Sequence, residues 1–269
     1  MRRLRIPGAG ERSLRLRDEG EGTRTPLVCL HGAGASSVVW MDTVRRLSPS
    51  RRVVAPDLPG HGQSDPWPDS IAPSSGAVPE ISVELYREAV SAICTQLALP
   101  RVVLVGHSLG ALVALSCAAA FPERVAGLVL VASGAKLTVA ARVFEVLTGD
   151  WAHAPEWLAH MSFSPSTPSE LVDRWTRLQL TAEQPVALAD FRAADRFDGR
   201  PLLARVTAPS LVIGGADDLL TPPSLTHALA AGLPNARAVI LPRAAHALLL
   251  EQPVAFCDQV RAFLSHAGI

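Results

Sequence analysis

Gly106-His107-Ser108-Leu109-Gly110 directly follows the apolar run Val102 to Val105 and opens an Ala/Leu-rich stretch of helical character. A serine held at a sharp strand-to-helix turn presents its hydroxyl outside the fold, where it can attack an acyl carbon. Such a turn crowds its neighbours, so it needs residues without a Cβ on both sides, and Gly106 and Gly110 supply them. The five-residue pattern by itself is weak. Its place between strand and helix is what sets it above the plainer reading of a serine capping a helix.

A second glycine turn, His31-Gly32-Ala33-Gly34, follows the run Leu27 to Leu30. Backbone N–H groups in such a turn can point at a bound oxygen, and Ala33 N–H with Leu109 N–H is the expected oxyanion-stabilising pair. His31 precedes that turn and reads as a brace for it rather than as a base. Three more segments lie at the ends of apolar runs: Asp57-Leu58-Pro59-Gly60-His61-Gly62-Gln63-Ser64, a tight loop; Gly215-Ala216-Asp217-Asp218, with two adjacent acids; and His246, between Ala245 and Ala247.

Taken in order and spacing, HGAG, DLPGHGQSD, GHSLG, GGADDLLTP and AAHALLLEQP closely resemble the α/β-hydrolase fold superfamily, in particular its capped, esterase-like members. The resemblance covers nearly the whole chain apart from residues 66–79 and most of 134–207. It implies a triad delivered in the order serine, acid, histidine. Counting the family's Gly-x-x-Asp pattern from Gly215 gives Asp218 as the acid, with Pro222 four residues on; Asp217 stands beside it as the alternative, a solvated or loop-capping neighbour. The position after the sixth strand, where some relatives carry the acid, reads Ala132-Ser133-Gly134. A lone histidine in an apolar setting is usually just packed, but the place of His246 in that order makes it the expected base. An aspartate nucleophile is excluded, because the elbow residue is Ser108.

The elements that must position these residues can be read from periodicity. Leu4 to Ile6 and Ser13 to Arg17 form an expected antiparallel opening pair. Leu27 to Leu30, Arg52 to Ala55, Val102 to Val105, Gly127 to Val131, Leu211 to Ile213 and Ala238 to Leu241 are Val/Leu/Ile-rich, as parallel strands buried on both faces should be. Helical stretches run over Val38 to Leu47, Ser82 to Leu97, Leu109 to Ala120, Ser224 to Ala231 and Pro253 to Ser265. Between Ser133 and Thr207 no convincing strand occurs, while Leu137, Ala140, Phe144 and Leu147 repeat at helical spacing, as do Leu171, Trp175 and Leu178. The expected fold class is therefore α/β: an eight-stranded, mostly parallel sheet flanked by helices, with a helical cap inserted after the sixth strand. Residues 1–133 and 208–269 form the core and 134–207 the cap. Pro66 to Pro79, with four prolines, reads as a loop.

Composition narrows the partners. The chain has 269 residues, 48% of them apolar, with 25 basic and 25 acidic side chains, so no global field would draw in nucleic acid or an anionic membrane. A neutral or weakly charged small molecule is the expected partner; oligomeric state is left open. Lys136 is the only lysine, which leaves no Schiff-base lysine for a strand-end pocket. Cys29, Cys94, Cys117 and Cys257 sit singly in apolar runs, away from metal or redox spacing, and read as buried free thiols of a reducing compartment. No signal-peptide core or membrane-length run is present, which makes a soluble cytoplasmic protein the expectation. No histidine cluster has metal-ligand spacing, and no cofactor is expected. Of the other histidines, His153 and His160 lie in the cap and are the candidates for lining a pocket. Trp151, Trp157, Phe163, Trp175, Phe191 and Phe197 hold the cap together in the plain reading, and some should roof an apolar pocket.

The chemistry expected is cleavage of an ester-like bond, a carboxylic ester or lactone, through an acyl-enzyme on Ser108, with His246 as base, Asp218 orienting it, and Ala33 and Leu109 holding the oxyanion. Relatives with the same triad hydrolyse carbon–carbon bonds or enol-lactones, or act as non-hydrolytic lyases or perhydrolases. An idle relative serving as a small-molecule receptor is the reading from another class.

Overall fold

The computed structural model describes residues 1–5, 12–66 and 80–269, without the side chains of Arg177 and Gln179. Ile6 and nearly all of the proline-rich loop expected over 66–79 lie outside the described residues. The strands are β1 (Arg2–Arg5), β2 (Ser13–Glu19), β3 (Leu27–Leu30), β4 (Val53–Pro56), β5 (Val102–His107), β6 (Val125–Val131), β7 (Ser210–Gly215) and β8 (Ala236–Leu241). They form one sheet in the order β1-β2-β4-β3-β5-β6-β7-β8. β1 with β2 and β2 with β4 are antiparallel; every other pairing is parallel.

That order places a topological switch between β3 and β5. The chain leaves β3 toward one edge of the sheet and leaves β5 toward the other, so a crevice opens at their carboxyl ends, where ligands bind in open α/β sheets. The turns carrying Ala33 and Ser108 stand on its two sides.

The helices of the two layers are α1 (Met41–Leu47), α2 (Val83–Gln96) and α3 (Leu109–Ala120), and four more lie between β6 and β7: α4 (Ala141–Gly149), α5 (Ala154–Ser162), α6 (Ser169–Gln179) and α7 (Gln184–Arg196). α8 (Pro223–Gly232), α9 (Leu248–Glu251) and α10 (Pro253–His266) follow. Alternate strand residues feed opposite layers, as the period of two demands. Val28, Leu30, Val54, Leu104, Leu130 and Val212 pack with α2 and α3, whereas Leu27, Cys29, Val53, Val103, Val131 and Ile213 pack with α1 and α10. α3 is buried from Leu109 through Ala119, which explains its lack of a polar face. Ser82 caps α2 by accepting from Leu85 N at 3.2 Å.

Boundaries moved by one to three residues against the pattern reading. The stretch begun at Val38 splits into a 3-10 turn, Ser37–Trp40, and α1. Leu137 and Ala140 precede α4 rather than opening it; Val143, Val146 and Leu147 are its buried residues. The four-helix segment packs on itself through Val143, Val146, Leu147, Ala154, Leu158 and Leu188. It leaves and rejoins the core at one neck, where Lys136 pairs with Asp198 and Gly199 N donates to Ala135 O at 2.7 Å. The four cysteines are free and buried. Among the described residues, no helix is long and apolar enough to cross a membrane.

Candidate active site

Ser108 caps α3 at φ 53°, ψ −117°, a left-handed backbone that a β-carbon-bearing residue adopts only at a cost. The glycines beside it are required by close approach. A Cβ at Gly106 would stand 2.2 Å from Gly110 O, and one at Gly110 would stand 2.3 Å from Leu30 O. The elbow is therefore pressed against the end of β3, which brings the Gly32–Gly34 turn alongside the serine. Ser108 N donates to Val131 O at 2.9 Å, which ties the turn to the neighbouring strand.

Asp218 lies just past β7 and is buried, with every oxygen engaged. Its Oδ1 accepts from Leu220 N and Thr221 N, each at 2.8 Å, and its Oδ2 from Thr221 Oγ1 at 2.6 Å. Oδ2 also accepts from His246 Nδ1 at 3.0 Å. Burial alone would raise this carboxyl; the His246 charge and the hydrogen bonds from His246 and Thr221 outweigh it and hold Asp218 below its ordinary range. With Nδ1 bound to the acid, Nε2 is the ring nitrogen left for proton transfer. Asp217 points elsewhere: its Oδ2 accepts from Ser164 Oγ at 2.6 Å, between α5 and α6.

The loop carrying His246 is held from three sides. A Cβ at Gly215 would fall 2.4 Å from the carbonyls of Ala244 and Ala245, so β7 and this loop are in direct backbone contact. Ala247 N donates to Ser162 O at 2.8 Å, and Glu251 Oε2 accepts from Ala245 N at 2.7 Å. The third hold comes from the residue before Ser108: His107 Nε2 donates to His246 O at 3.0 Å, with the rings 4.9 Å apart. Burial first, then repulsion from His246, drive the His107 pKa down to about 3, so it is a neutral donor.

Ser108, His107, His246, Gly32 and Ala33 line one pocket with Ala35, Val39, Leu158, Leu180, Phe191, Leu220, Leu249 and Leu250; with its open mouth it holds about 640 Å³. Among the described residues, no Lys, Arg, Asp or Glu lines it. Ala33 N and Leu109 N, on either side of the serine, donate to no protein acceptor among the described residues. Ser108 Oγ and His246 share the pocket without a hydrogen bond between them; in unliganded sites such bonds commonly close only with substrate.

Of the six cap aromatics singled out from the sequence, only Phe191 reaches this pocket among the described residues. Phe163 and Trp175 pack into the core layer of α1 and α10, Phe197 into the opposite layer, and Trp151 and Trp157 against the four-helix segment's own cluster. The segment's contribution to the lining is Leu158, Leu180 and Phe191, with Ser162. His153 and His160 are exposed and away from the pocket. His31 does brace its turn: Nδ1 donates to Gly32 O at 2.9 Å and Nε2 accepts from Leu58 N at 3.0 Å. His61, read only as a turn residue, is fully buried against Asp190 of α7. An acid on the apolar stripe of Val186, Ala187, Ala193 and Ala194 was the signal for it. No group of three or more His, Cys, Asp or Glu suited to a metal occurs among the described residues.

A model of the alpha/beta hydrolase family matches residues 27–259. The chain is 33% identical over 262 residues to a pimeloyl-[acyl-carrier protein] methyl ester esterase of Pectobacterium atrosepticum, covering 91% of this chain and 96% of that one. Among solved structures, a thermophilic esterase from Thermogutta terrifontis superposes with a TM-score of 0.85 at 25% identity, over 99% of both chains. The enol-lactonase of Burkholderia xenovorans LB400 shares the fold at a TM-score of 0.85 and 23% identity, over 98% of this chain and 100% of that one.

Proposed function

The chain belongs to the α/β-hydrolase family and is an esterase-type hydrolase, and from that premise we propose that it cleaves a small, uncharged, largely apolar carboxylic ester or lactone through an acyl-enzyme on Ser108. One observation carries the reading. The Asp218–His246 pair opens into the same apolar pocket as the strained Ser108, beside the N–H groups of Ala33 and Leu109, which have no protein acceptor among the described residues.

In the proposed cycle Ser108 Oγ attacks the carbonyl carbon while His246 Nε2 takes its proton. Asp218 fixes the imidazole tautomer and stabilises the imidazolium. The oxyanion rests on Ala33 N–H and Leu109 N–H, each worth about 3 kcal/mol in the transition state. His246 returns the proton to the leaving alcohol oxygen as the carbon–oxygen bond breaks. Water, deprotonated by His246, then attacks the acyl carbon and releases the acid and free serine. The helical segment 134–207 serves as the cap, contributing Leu158, Leu180 and Phe191 to the pocket.

The uncharged lining supports neutral acyl groups. A substrate carboxylate placed there would lose its hydration with no cation in return, at a cost of several kcal/mol. The relative named for a methyl ester at an acyl chain fits this preference, and we read the present substrate as an aliphatic ester of that general kind.

The test is a panel of neutral esters of rising chain length, a lactone, a vinylogous diketone, and an acyl ester ending in a carboxylate. Neutral esters should turn over fastest, the carboxylate-bearing one at least tenfold slower. Cleavage of the diketone without ester turnover would assign carbon–carbon hydrolysis instead.

A further inference from the structure

We propose that Asp190, contributed by α7 of the inserted segment, is a positioning residue that sets the oxyanion turn from behind. The inference rests on the reading of Ala33 N–H as an oxyanion donor.

The Ala33 N–H belongs to the peptide that also carries Gly32 O. That oxygen accepts from His31 Nδ1 at 2.9 Å and from Ala35 N at 3.3 Å, which fixes the plane of the peptide. The next two peptides, Ala33–Gly34 and Gly34–Ala35, are held from the inserted segment. Gly34 N donates to Asp190 Oδ2 at 2.8 Å, while Gly34 O accepts from Thr181 N at 2.8 Å and Ala182 N at 3.1 Å. Gly34 itself sits at φ +66°, the left-handed region that glycine tolerates. Ala33 therefore lies between two clamped peptides, one braced by the core and the other by the insert.

Asp190 is fully buried and accepts three donors: Gly34 N and His61 Nε2, the latter at 2.7 Å, on Oδ2, and Tyr86 Oη at 2.6 Å on Oδ1. With donors on both oxygens, Asp190 acts as an acceptor only, the role of a carboxylate. His61 supplies the balancing charge, because its other nitrogen, Nδ1, faces Pro59 O at 3.0 Å. Both ring nitrogens thus meet obligate acceptors, and both must carry protons. Burial works against that charge, but the Asp190 carboxylate and its hydrogen bond more than offset it, so His61 titrates above its ordinary range. The adjacent His31 ring, 4.9 Å away, stays neutral, its pKa brought down to about 4 by burial and by His61. Asp57 is the remaining charge acting on His61.

A hydrogen bond from a buried backbone N–H to an ionised acceptor is short, directional and roughly twice as strong as a neutral one. Losing it frees the Ala33–Gly34 peptide to tilt, and a displacement of about 1 Å at an oxyanion donor can cost about a hundredfold in rate. Ground-state binding to the apolar pocket would be nearly unaffected.

The test compares wild type, Asp190→Asn and Asp195→Asn with a neutral ester and with a trifluoromethyl ketone of the same acyl chain. The ketone adds Ser108 and places an oxyanion in the hole. Asp195 lies on the same helix, and its Oδ1 accepts from Val139 N, remote from the oxyanion turn. Asp190→Asn should lower kcat and ketone affinity together by about 10- to 100-fold, with KM within about threefold. Asp195→Asn should change neither. Equal losses in both variants, or a loss in Asp190→Asn confined to KM, would reduce Asp190 to a general anchor of the insert. If Asp190→Asn does not fold, Tyr86→Phe carries the test, since it frees the same carboxylate from its other oxygen. A fall of about threefold in ketone affinity at constant KM supports the positioning role, and no change overturns it. Failure of the wild type to bind the ketone more tightly than the matching methyl ketone would instead overturn the oxyanion reading itself, and this inference with it.

Discussion

Asp217 and Asp218 are consecutive residues that serve opposite sides of one loop: Asp217 Oδ2 accepts from Ser164 Oγ at 2.6 Å, and Asp218 Oδ2 from His246 Nδ1 at 3.0 Å. The neighbours can therefore be separated by the same substitution. Asp218→Asn should lower ester turnover by about three to four orders of magnitude, because the amide cannot stabilise the imidazolium or select its tautomer. Asp217→Asn should cost less than about tenfold in turnover and about 1 kcal/mol in stability, the hydroxyl bond being weakened. Turnover of one short-chain ester near pH 8, with folding checked by circular dichroism, decides between them. Reversed losses would make Asp217 the acid.

Replacing Ser108 by alanine should remove about four to six orders of magnitude of turnover while relieving a strained backbone only slightly. A sulfonyl fluoride should modify the wild-type chain once, and peptide mapping should find it on Ser108. Retention of more than about a tenth of the activity by Ser108→Ala would mean that another group attacks.

Thr221→Val tests the support of the acid through pH. Asp218 is held below its ordinary value, so its contribution to stability is complete above the unfolded carboxylate's value of about 3.9 and is lost as pH falls through the lower folded value. Removing the Thr221 hydroxyl raises that folded value and should cost about 1–2 kcal/mol at pH 7. The gap between variant and wild type should narrow as pH falls below the unfolded carboxylate's value and through the lower folded one, since protonation removes the charge in both. Urea midpoints across this range measure it, and a gap independent of pH would show that Thr221 acts by packing.

Much of this site was legible because its parts sit at strand ends of a parallel sheet. Strands buried on both faces read as plain apolar runs, and the turn glycines at 106, 110 and 215 are demanded because a Cβ there would stand 2.2 to 2.4 Å from a backbone oxygen. Ser108, Asp218 and His246 each follow such a run. What was not legible depends on which distant segments meet. Nothing local in the residues around His61 says that an acid 129 positions later will bury itself there. The cap aromatics were legible only in part for the same reason: ring size speaks for burial, but not for whether the ring joins the cap's own cluster, as Trp151 and Trp157 do, the pocket, as Phe191 does, or the core layers, as Phe163, Trp175 and Phe197 do. α9 has four residues, too short for a helical period to show.

Glu251 is the acceptor that joins the His246 loop to the segment between α5 and α6. Its Oε2 takes Ala245 N, while Oε1 takes Ser164 N at 2.7 Å and Thr167 Oγ1 at 2.6 Å. Glu251→Gln leaves one oxygen for three donors and should destabilise the protein by about 1–3 kcal/mol. Turnover should fall several-fold as His246 gains freedom. Thermal melts with kcat and KM on one ester provide the check; unchanged melting with unchanged kcat would show that the loop is held by Ala247 and His107 alone.

The four buried thiols have a practical side. Burial drives Cys94 and Cys257 up to about 11 and Cys29 and Cys117 higher still, so almost none is thiolate at neutral pH. The native chain is therefore close to silent toward maleimides. A single cysteine introduced at an exposed position such as Val254, 52% accessible, would carry a fluorophore or spin probe alone, with no need to strip the background cysteines first.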